Sequence, residues 1–93
     1  MEVRFDRAAL SDIDEITNYI AARNPKAAAN LLGKFDAAAQ LLQQSAEIGA
    51  PTSRAEMRRL VVANYLVVYQ ILADEIIIQY VRHGARKRPW END

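Results

Sequence analysis

The 93-residue chain contains no cysteine, which excludes disulfides and thiolate metal sites and suits a reducing compartment. No apolar run approaches the roughly 20 residues that a membrane-spanning helix needs. No apolar stretch follows the N-terminal MEVRF, so we expect no signal peptide and predict a cytoplasmic protein. The formal net charge is zero, which argues against a general nucleic-acid coat protein.

The sequence also lacks the patterns of common cofactor sites. It has three glycines and one histidine, and it shows neither a glycine-rich phosphate loop nor the spacing of a metal site. We therefore predict no cofactor and no metal. Hydrophobic residues make up 51% of the chain, which is enough for one core at this length. We predict a single domain over residues 1–93, in which residues 89–93 form a tail.

The second half of the chain has the composition of a β-sheet. Valine, isoleucine, leucine and tyrosine dominate it, and such side chains favour a pleated surface over a helix. The breaks at Ala63-Asn64 and Ala73-Asp74 are short enough for hairpins. An antiparallel meander that begins near Met57 is therefore predicted, with strands over residues 60–62, 65–72 and 76–81. The alternating segment of residues 2–6 predicts a further, half-buried strand in the same sheet.

Two helices are predicted between the first strand and the meander. Residues 8–22 carry apolar side chains at helical spacing, and Asp6 stands near the N-cap position. Asn24 and Pro25 are typical of the cap and first position of a second helix, which runs to about Ser45. Gly33 lies inside this helix and suggests close approach of a neighbouring backbone. The two apolar stripes are Leu10, Ile13, Ile16 and Ile20 in the first helix, and Ala28, Leu31, Leu32, Phe35, Ala38, Ala39 and Leu42 in the second.

These elements define an α+β fold. Its order is β-α-α-β-β-β: an N-terminal strand, an antiparallel two-helix hairpin, and a three-stranded C-terminal meander that completes a mostly antiparallel sheet. The hairpin covers one face of the sheet, and the other face is left for a partner. The connector over residues 45–55 shows no sign of regular structure.

The chain turns basic directly after its last strand. Arg82, Arg86, Lys87 and Arg88 fall within seven positions, and His83 lies among them. Such a patch can bind phosphate or an acidic partner even on a neutral protein. The alternative is a charged strand end that prevents edge-to-edge pairing. Trp90, in a polar tail, either folds back or anchors an interface.

Taken in order, several segments resemble the ParE branch of the RelE/ParE toxin superfamily. They are the first helix written ALSDIDEITNYIAARNPKAA, the pair Arg59-Leu60, the tyrosines Tyr65 and Tyr69, and an isoleucine-rich last strand ending in His83-Gly84-Ala85-Arg86. The tetrapeptide after the strand is the most specific of these. The resemblance covers nearly the whole chain.

The resemblance implies the toxin of a bacterial type II toxin–antitoxin pair. A ParD-like antitoxin would wrap the toxin with its C-terminal segment and bind DNA with its N-terminal part, so no sequence-specific DNA binding is expected of the toxin alone. The ParE branch implies poisoning of DNA gyrase by binding, whereas the RelE branch implies ribosome-dependent cleavage of mRNA. The candidate target-binding residues are Arg82, His83, Arg86, Lys87, Arg88 and Trp90.

Nuclease chemistry is the main alternative. RNA cleavage needs an acid, a base and cations on the phosphate, and His83 with Arg59 and Arg86 would be the catalytic set. However, residues 65–81 contain neither lysine nor arginine, which departs from the RelE pattern and favours action by binding, with no catalytic residues. A third possibility is a toxin homologue that has lost its target activity and mainly binds its antitoxin.

Antitoxin docking is predicted on apolar surface between the helical hairpin and the sheet. The same side chains also suit the core of the domain, so the two roles compete for each position. The candidates are Leu10, Ile13, Ile20, Leu31 and Phe35.

Overall fold

The computed structural model describes residues 1–84. The predicted α+β order is confirmed, and one short strand is added to it. Arg86, Lys87, Arg88 and Trp90, together with the predicted tail, lie outside the described residues. The elements are β1 (Glu2–Phe5), α1 (Arg7–Ala21), α2 (Pro25–Gln44), β2 (Ala50–Pro51), β3 (Met57–Val62), β4 (Tyr65–Ile71) and β5 (Glu75–His83).

The strands form one five-stranded sheet in the order β1-β5-β4-β3-β2. The strand β1 runs parallel to β5, and the remaining neighbours are antiparallel. The expectation of an irregular connector was wrong at β2, where Ala50 and Pro51 pair with Arg59 and Arg58. Two residues carry no periodicity of their own, so this strand exists only through its pairing with β3.

The predicted helical hairpin is confirmed, and its second helix begins at the predicted residues. The amide of Ala27 donates to Asn24 Oδ1 at 3.1 Å, and Pro25 opens α2. This cap satisfies one of the amides that the first turn leaves without a helical partner. Asp6 occupies the N-cap position of α1, but its side chain makes no capping hydrogen bond.

The core lies between the helical hairpin and one face of the sheet. Phe35 and Leu42 of α2 pack with Tyr69 of β4 and with Ile76 and Ile78 of β5. The stripe of α1 is rotated from the predicted one, because Ala9, Ile13 and Thr17 are its buried residues. Thr17 satisfies its hydroxyl by donating to Ile13 O at 2.8 Å, as helical threonines commonly do.

A buried tyrosine ties the connector between α2 and β3 to the sheet. The hydroxyl of Tyr69 donates to Ala46 O at 2.7 Å and accepts from Gly49 N at 2.9 Å. Arg58 Nη1 also donates to Gly49 O at 2.7 Å. Desolvation by burial raises the pKa of Tyr69, and its hydrogen bond with Gly49 and the charge of Arg58 oppose that rise in part. These bonds hold β2 beside β3.

The meander contains a bulge and a tight turn. Val68 pairs with Tyr80 and Tyr69 with Ile78, so Gln79 is an extra residue in β5. Gln79 Nε2 donates to Gln70 Oε1 at 2.7 Å. The predicted two-residue hairpin break at Ala63-Asn64 is confirmed, with Ala63 at φ 55°. Within residues 1–84, no helix is both long enough and apolar enough to cross a membrane.

Candidate partner-binding surfaces

The face of the sheet away from the helices carries two rows of mixed side chains. Strand pairing aligns Arg59, Val68 and Tyr80 in one row, and Val61, Leu66 and Arg82 in the next. We call this set the outer face. Val61 is 67% exposed, and the guanidinium carbon of Arg82 lies 4.7 Å from the centroid of the Tyr80 ring. Arginine, tyrosine and aliphatic side chains together are typical of surfaces that bind other proteins.

A groove lies on the helix side, where α1 passes the end of β5. We call it the end groove; it has a volume of about 590 Å³. Asp12 Oδ2 accepts a hydrogen bond from the backbone amide of Val81 at 2.9 Å, which joins α1 to the strand. The rings of Tyr65 and His83 meet edge to face at 5.1 Å between centroids. The groove is lined by Asp12, Glu15, Ile16, Tyr19, Tyr65 and His83, among others.

The predicted target-binding residues divide between the two surfaces. Arg82 is exposed on the outer face, whereas His83 is exposed in the end groove. Adjacent residues of a strand point to opposite faces, so the pair does not form one patch. Arg86, Lys87, Arg88 and Trp90 fall beyond the described range, and their role stays a prediction.

The residues considered for nuclease chemistry are also separated. His83 is opposite Tyr65 in the sheet, and Arg59 is opposite Val68. Tyr65 and Val68 stand three positions apart in β4, so their side chains point to opposite faces. Arg58, the neighbouring cation, is bound to the carbonyl of Gly49. In residues 1–84, no group of three or more histidine, aspartate and glutamate side chains could hold a metal ion.

The five predicted antitoxin-binding residues differ in their accessibility. Ile13, Leu31 and Phe35 are buried in the core, where their exposed fractions are 8%, 6% and 3%. Ile20 is partly buried and lines the end groove. Leu10 is 54% exposed, so it leaves the apolar stripe predicted for α1. Docking stays a prediction for this set, and Leu10 and Ile20 are its accessible members.

The contact of Asp12 with the sheet was not predicted from the sequence. Its partner, the amide of Val81, lies 69 positions away in the chain. The amide is open because β1 pairs with β5 only as far as Ile78. The residues around Asp12 in the sequence do not indicate a bond to such a distant amide. The strands predicted over residues 2–6 and 76–81 are nearly equal in length, so the sequence carried no signal of the open edge.

Comparison with solved structures identifies the class of fold. A chain of "Chromosomal ParDE TA system from P. aeruginosa" superposes with a TM-score of 0.77 and 23% identity, and the match covers 89% of this chain and 95% of that one. A chain of the toxin–antitoxin complex RelBE2 from Mycobacterium tuberculosis gives a TM-score of 0.60 and 22% identity, covering 88% and 95%. The fold is therefore that of proteins found in toxin–antitoxin systems.

The family follows from the sequence itself. The family described as "ParE toxin of type II toxin-antitoxin system, parDE" matches residues 3–88. The chain belongs to this ParE toxin family, as its segments suggested. No curated protein matches it significantly.

Proposed function

We propose that this protein is the toxin of a type II pair, that it acts by binding DNA gyrase, and that a ParD-like antitoxin neutralises it. The observation that carries the proposal is the family match over residues 3–88. The structural similarity to a chain of a ParDE system supports the antitoxin partner. A gyrase target implies a cytoplasmic site of action.

The placement of the cations supports binding over RNA cleavage. A nuclease needs its acid, base and phosphate-binding cations around one phosphate. Here His83 and Arg59 point to opposite faces of the sheet. The segment from residue 65 to residue 81, which includes all of β4, carries neither lysine nor arginine.

The outer face is the proposed target surface. Arg82 stacks on Tyr80, and such a stack presents the guanidinium with a defined orientation. Leu66 and Val61 extend the same row with apolar surface. Arg86, Lys87, Arg88 and Trp90 follow Arg82 in the chain and are proposed to extend this surface.

Charge reversal tests the target surface directly. We expect Arg82→Glu to lower the yield of gyrase-dependent DNA breaks at least tenfold, because a reversed charge at an interface opposes association. The matched control is Lys34→Glu, which makes the same change at an exposed position of α2. Purified variants would be compared in a gyrase cleavage assay with ATP, with circular dichroism confirming the fold. Equal activity of both variants and the wild type would remove Arg82 from the target surface.

Antitoxin docking is proposed on the helical side of the protein. Leu10 and Leu32 are 54% and 45% exposed, and both line a shallow depression between α1 and α2. Ile20 offers further apolar surface in the end groove. A partner that covers these side chains removes apolar area from water, which is the main favourable term in association.

A further inference from the structure

The strand β5 is longer than its neighbour, and this leaves part of its edge open. The strand runs from Glu75 to His83, while β1 pairs only with its first four residues, as far as Ile78. Among the described residues, no strand lies beside the rest of this edge. The amide of Val81 donates to Asp12 Oδ2 instead. A carboxylate thus occupies the position where an added strand would otherwise pair.

The bond to Val81 also fixes Asp12 at the end groove. Glu15 follows three positions later in α1, so both carboxylates lie on the same side of the helix. Both line the groove, and the described residues that line it include neither lysine nor arginine. Among the lining residues within 1–84, His83 is the only basic one. The described rim of the groove therefore carries two carboxylates, and the groove has a volume of about 590 Å³.

The rest of the groove suits the flat face and aliphatic stem of an arginine. Tyr19, Tyr65 and His83 supply rings to its wall, and Ile16 supplies apolar surface. A guanidinium stacks on aromatic faces and binds carboxylates through two parallel hydrogen bonds. Tyr19 already carries the guanidinium of Arg23, 5.1 Å from its ring centroid, so this ring is accessible to such a group.

We propose that the end groove binds an arginine side chain of the antitoxin's toxin-binding segment, between the carboxylates of Asp12 and Glu15. Apolar neighbours of that arginine pack on Ile16 and Ile20. Because Asp12 closes the strand edge at Val81, the segment is recognised here through side chains and not by strand addition to β5. This inference rests on the proposed antitoxin partner.

Charge complementarity selects this occupant over the alternatives. A neutral apolar peptide would bury two carboxylates without a counter-charge, which is costly. A phosphate or nucleic acid would be repelled by the same carboxylates. An arginine can hydrogen-bond to the carboxylates and stack on the aromatic rings at the same time.

The probe is the purified protein encoded by the gene beside the toxin gene. The test measures how tightly the toxin and its variants bind this probe. We expect Glu15→Lys to raise the dissociation constant at least tenfold, because it places a cation against the incoming arginine. Asp12→Asn keeps an oxygen for the amide of Val81 but loses the charge, and a three- to tenfold loss is expected. The matched control is Asp74→Lys, which makes a charge reversal at an exposed position in the turn between β4 and β5, at the other end of β5 from the groove, and should stay within threefold of the wild type.

A charge swap then identifies the partner residue. Each arginine of the antitoxin's C-terminal segment is changed to glutamate and titrated with the wild type and with Glu15→Lys. One such change should weaken binding to the wild type and restore binding to Glu15→Lys by at least tenfold.

The outcomes separate the two proposals. If the wild type does not bind the neighbouring gene product, the antitoxin assignment and this inference fail together. If it binds but Glu15→Lys and Asp74→Lys have equal effects, only the groove assignment fails. A third outcome combines two results: the backbone amides of the bound antitoxin segment gain protection from hydrogen exchange, and Asp12→Asn binds the antitoxin more tightly than the wild type does. The segment then adds to β5 as a strand, and recognition through side chains is overturned.

Discussion

At the scale of single residues, Tyr69 combines two roles, one for its ring and one for its hydroxyl. Its ring is fully buried between the helices and the sheet, while its hydroxyl bonds Ala46 and Gly49 in the connector. A buried hydroxyl with both hydrogen bonds satisfied avoids the cost of an unpaired polar group. Tyr69 of β4, together with Arg58 of β3, therefore holds the connector and β2 against the sheet.

Replacing Tyr69 with phenylalanine should expose this dependence. The change leaves the buried amide of Gly49 without its acceptor, so we expect the free energy of unfolding to fall by about 1–3 kcal/mol. Urea denaturation at neutral pH measures it. Tyr19→Phe, at a position that is 65% exposed, is the matched control and should leave the midpoint unchanged.

The same tyrosine predicts a pH dependence. Burial raises the pKa of Tyr69 above its ordinary value of 10.0, so the unfolded chain loses this proton at a lower pH than the folded one. The stability it contributes is therefore complete below the unfolded pKa, and it falls as pH rises through that value towards the higher folded pKa. The wild type should lose more stability than Tyr69→Phe between about pH 9 and about pH 11. Equal losses would contradict the assignment.

At the scale of elements, two glycines have opposite surroundings. A Cβ built on Gly33 of α2 would have no atom of residues 1–84 within 4 Å outside its own helix, whereas one on Gly49 would lie 2.6 Å from the Tyr69 hydroxyl and 2.7 Å from Arg59 O. The close approach expected at Gly33 is therefore wrong, and the tight position is Gly49. Gly33 only weakens its helix.

Alanine at each glycine should shift stability in opposite directions. Gly33→Ala should raise the free energy of unfolding by about 1 kcal/mol, because glycine is a poor helix former. Gly49→Ala should lower it by roughly 1–3 kcal/mol, the usual cost of overpacking. Thermal and urea unfolding of the two variants would measure both. A stabilised Gly49→Ala would show that the connector can move away from Tyr69.

The elements themselves were largely predictable, because local chemistry dictates them. Asn24 and Pro25 are sufficient to start α2, and the apolar strands around Ala63-Asn64 are sufficient for the first hairpin. The strand β2 and the bulge at Gln79 were not predictable, because each depends on a neighbouring strand. The exposure of Leu10 depends in the same way on how α1 rotates against the sheet.

The candidate site was less predictable than the fold. The basic residues were visible in the sequence, but the sheet sends Arg82 and His83 to opposite faces. The groove of Asp12 and Glu15 appears only when α1 is placed across the end of β5. A list of charged residues could not anticipate either arrangement, since both depend on register and helix placement.

At the scale of the whole molecule, the sheet separates two surfaces. The outer face, with Arg82, is proposed to meet the target, while the end groove, with Glu15, is proposed to meet the antitoxin. Variants on one side should therefore spare binding on the other. His83 lies in the end groove, where an antitoxin would cover it.

The central claim is that this toxin acts on gyrase by binding and does not cleave mRNA. The most direct measurement adds the purified wild-type protein to two reactions in parallel: DNA cleavage by gyrase with ATP, and translating ribosomes with a defined mRNA. We expect trapped gyrase–DNA breaks and intact mRNA. Codon-positioned cuts in the mRNA with normal gyrase activity would contradict it and would make His83 the first residue to replace.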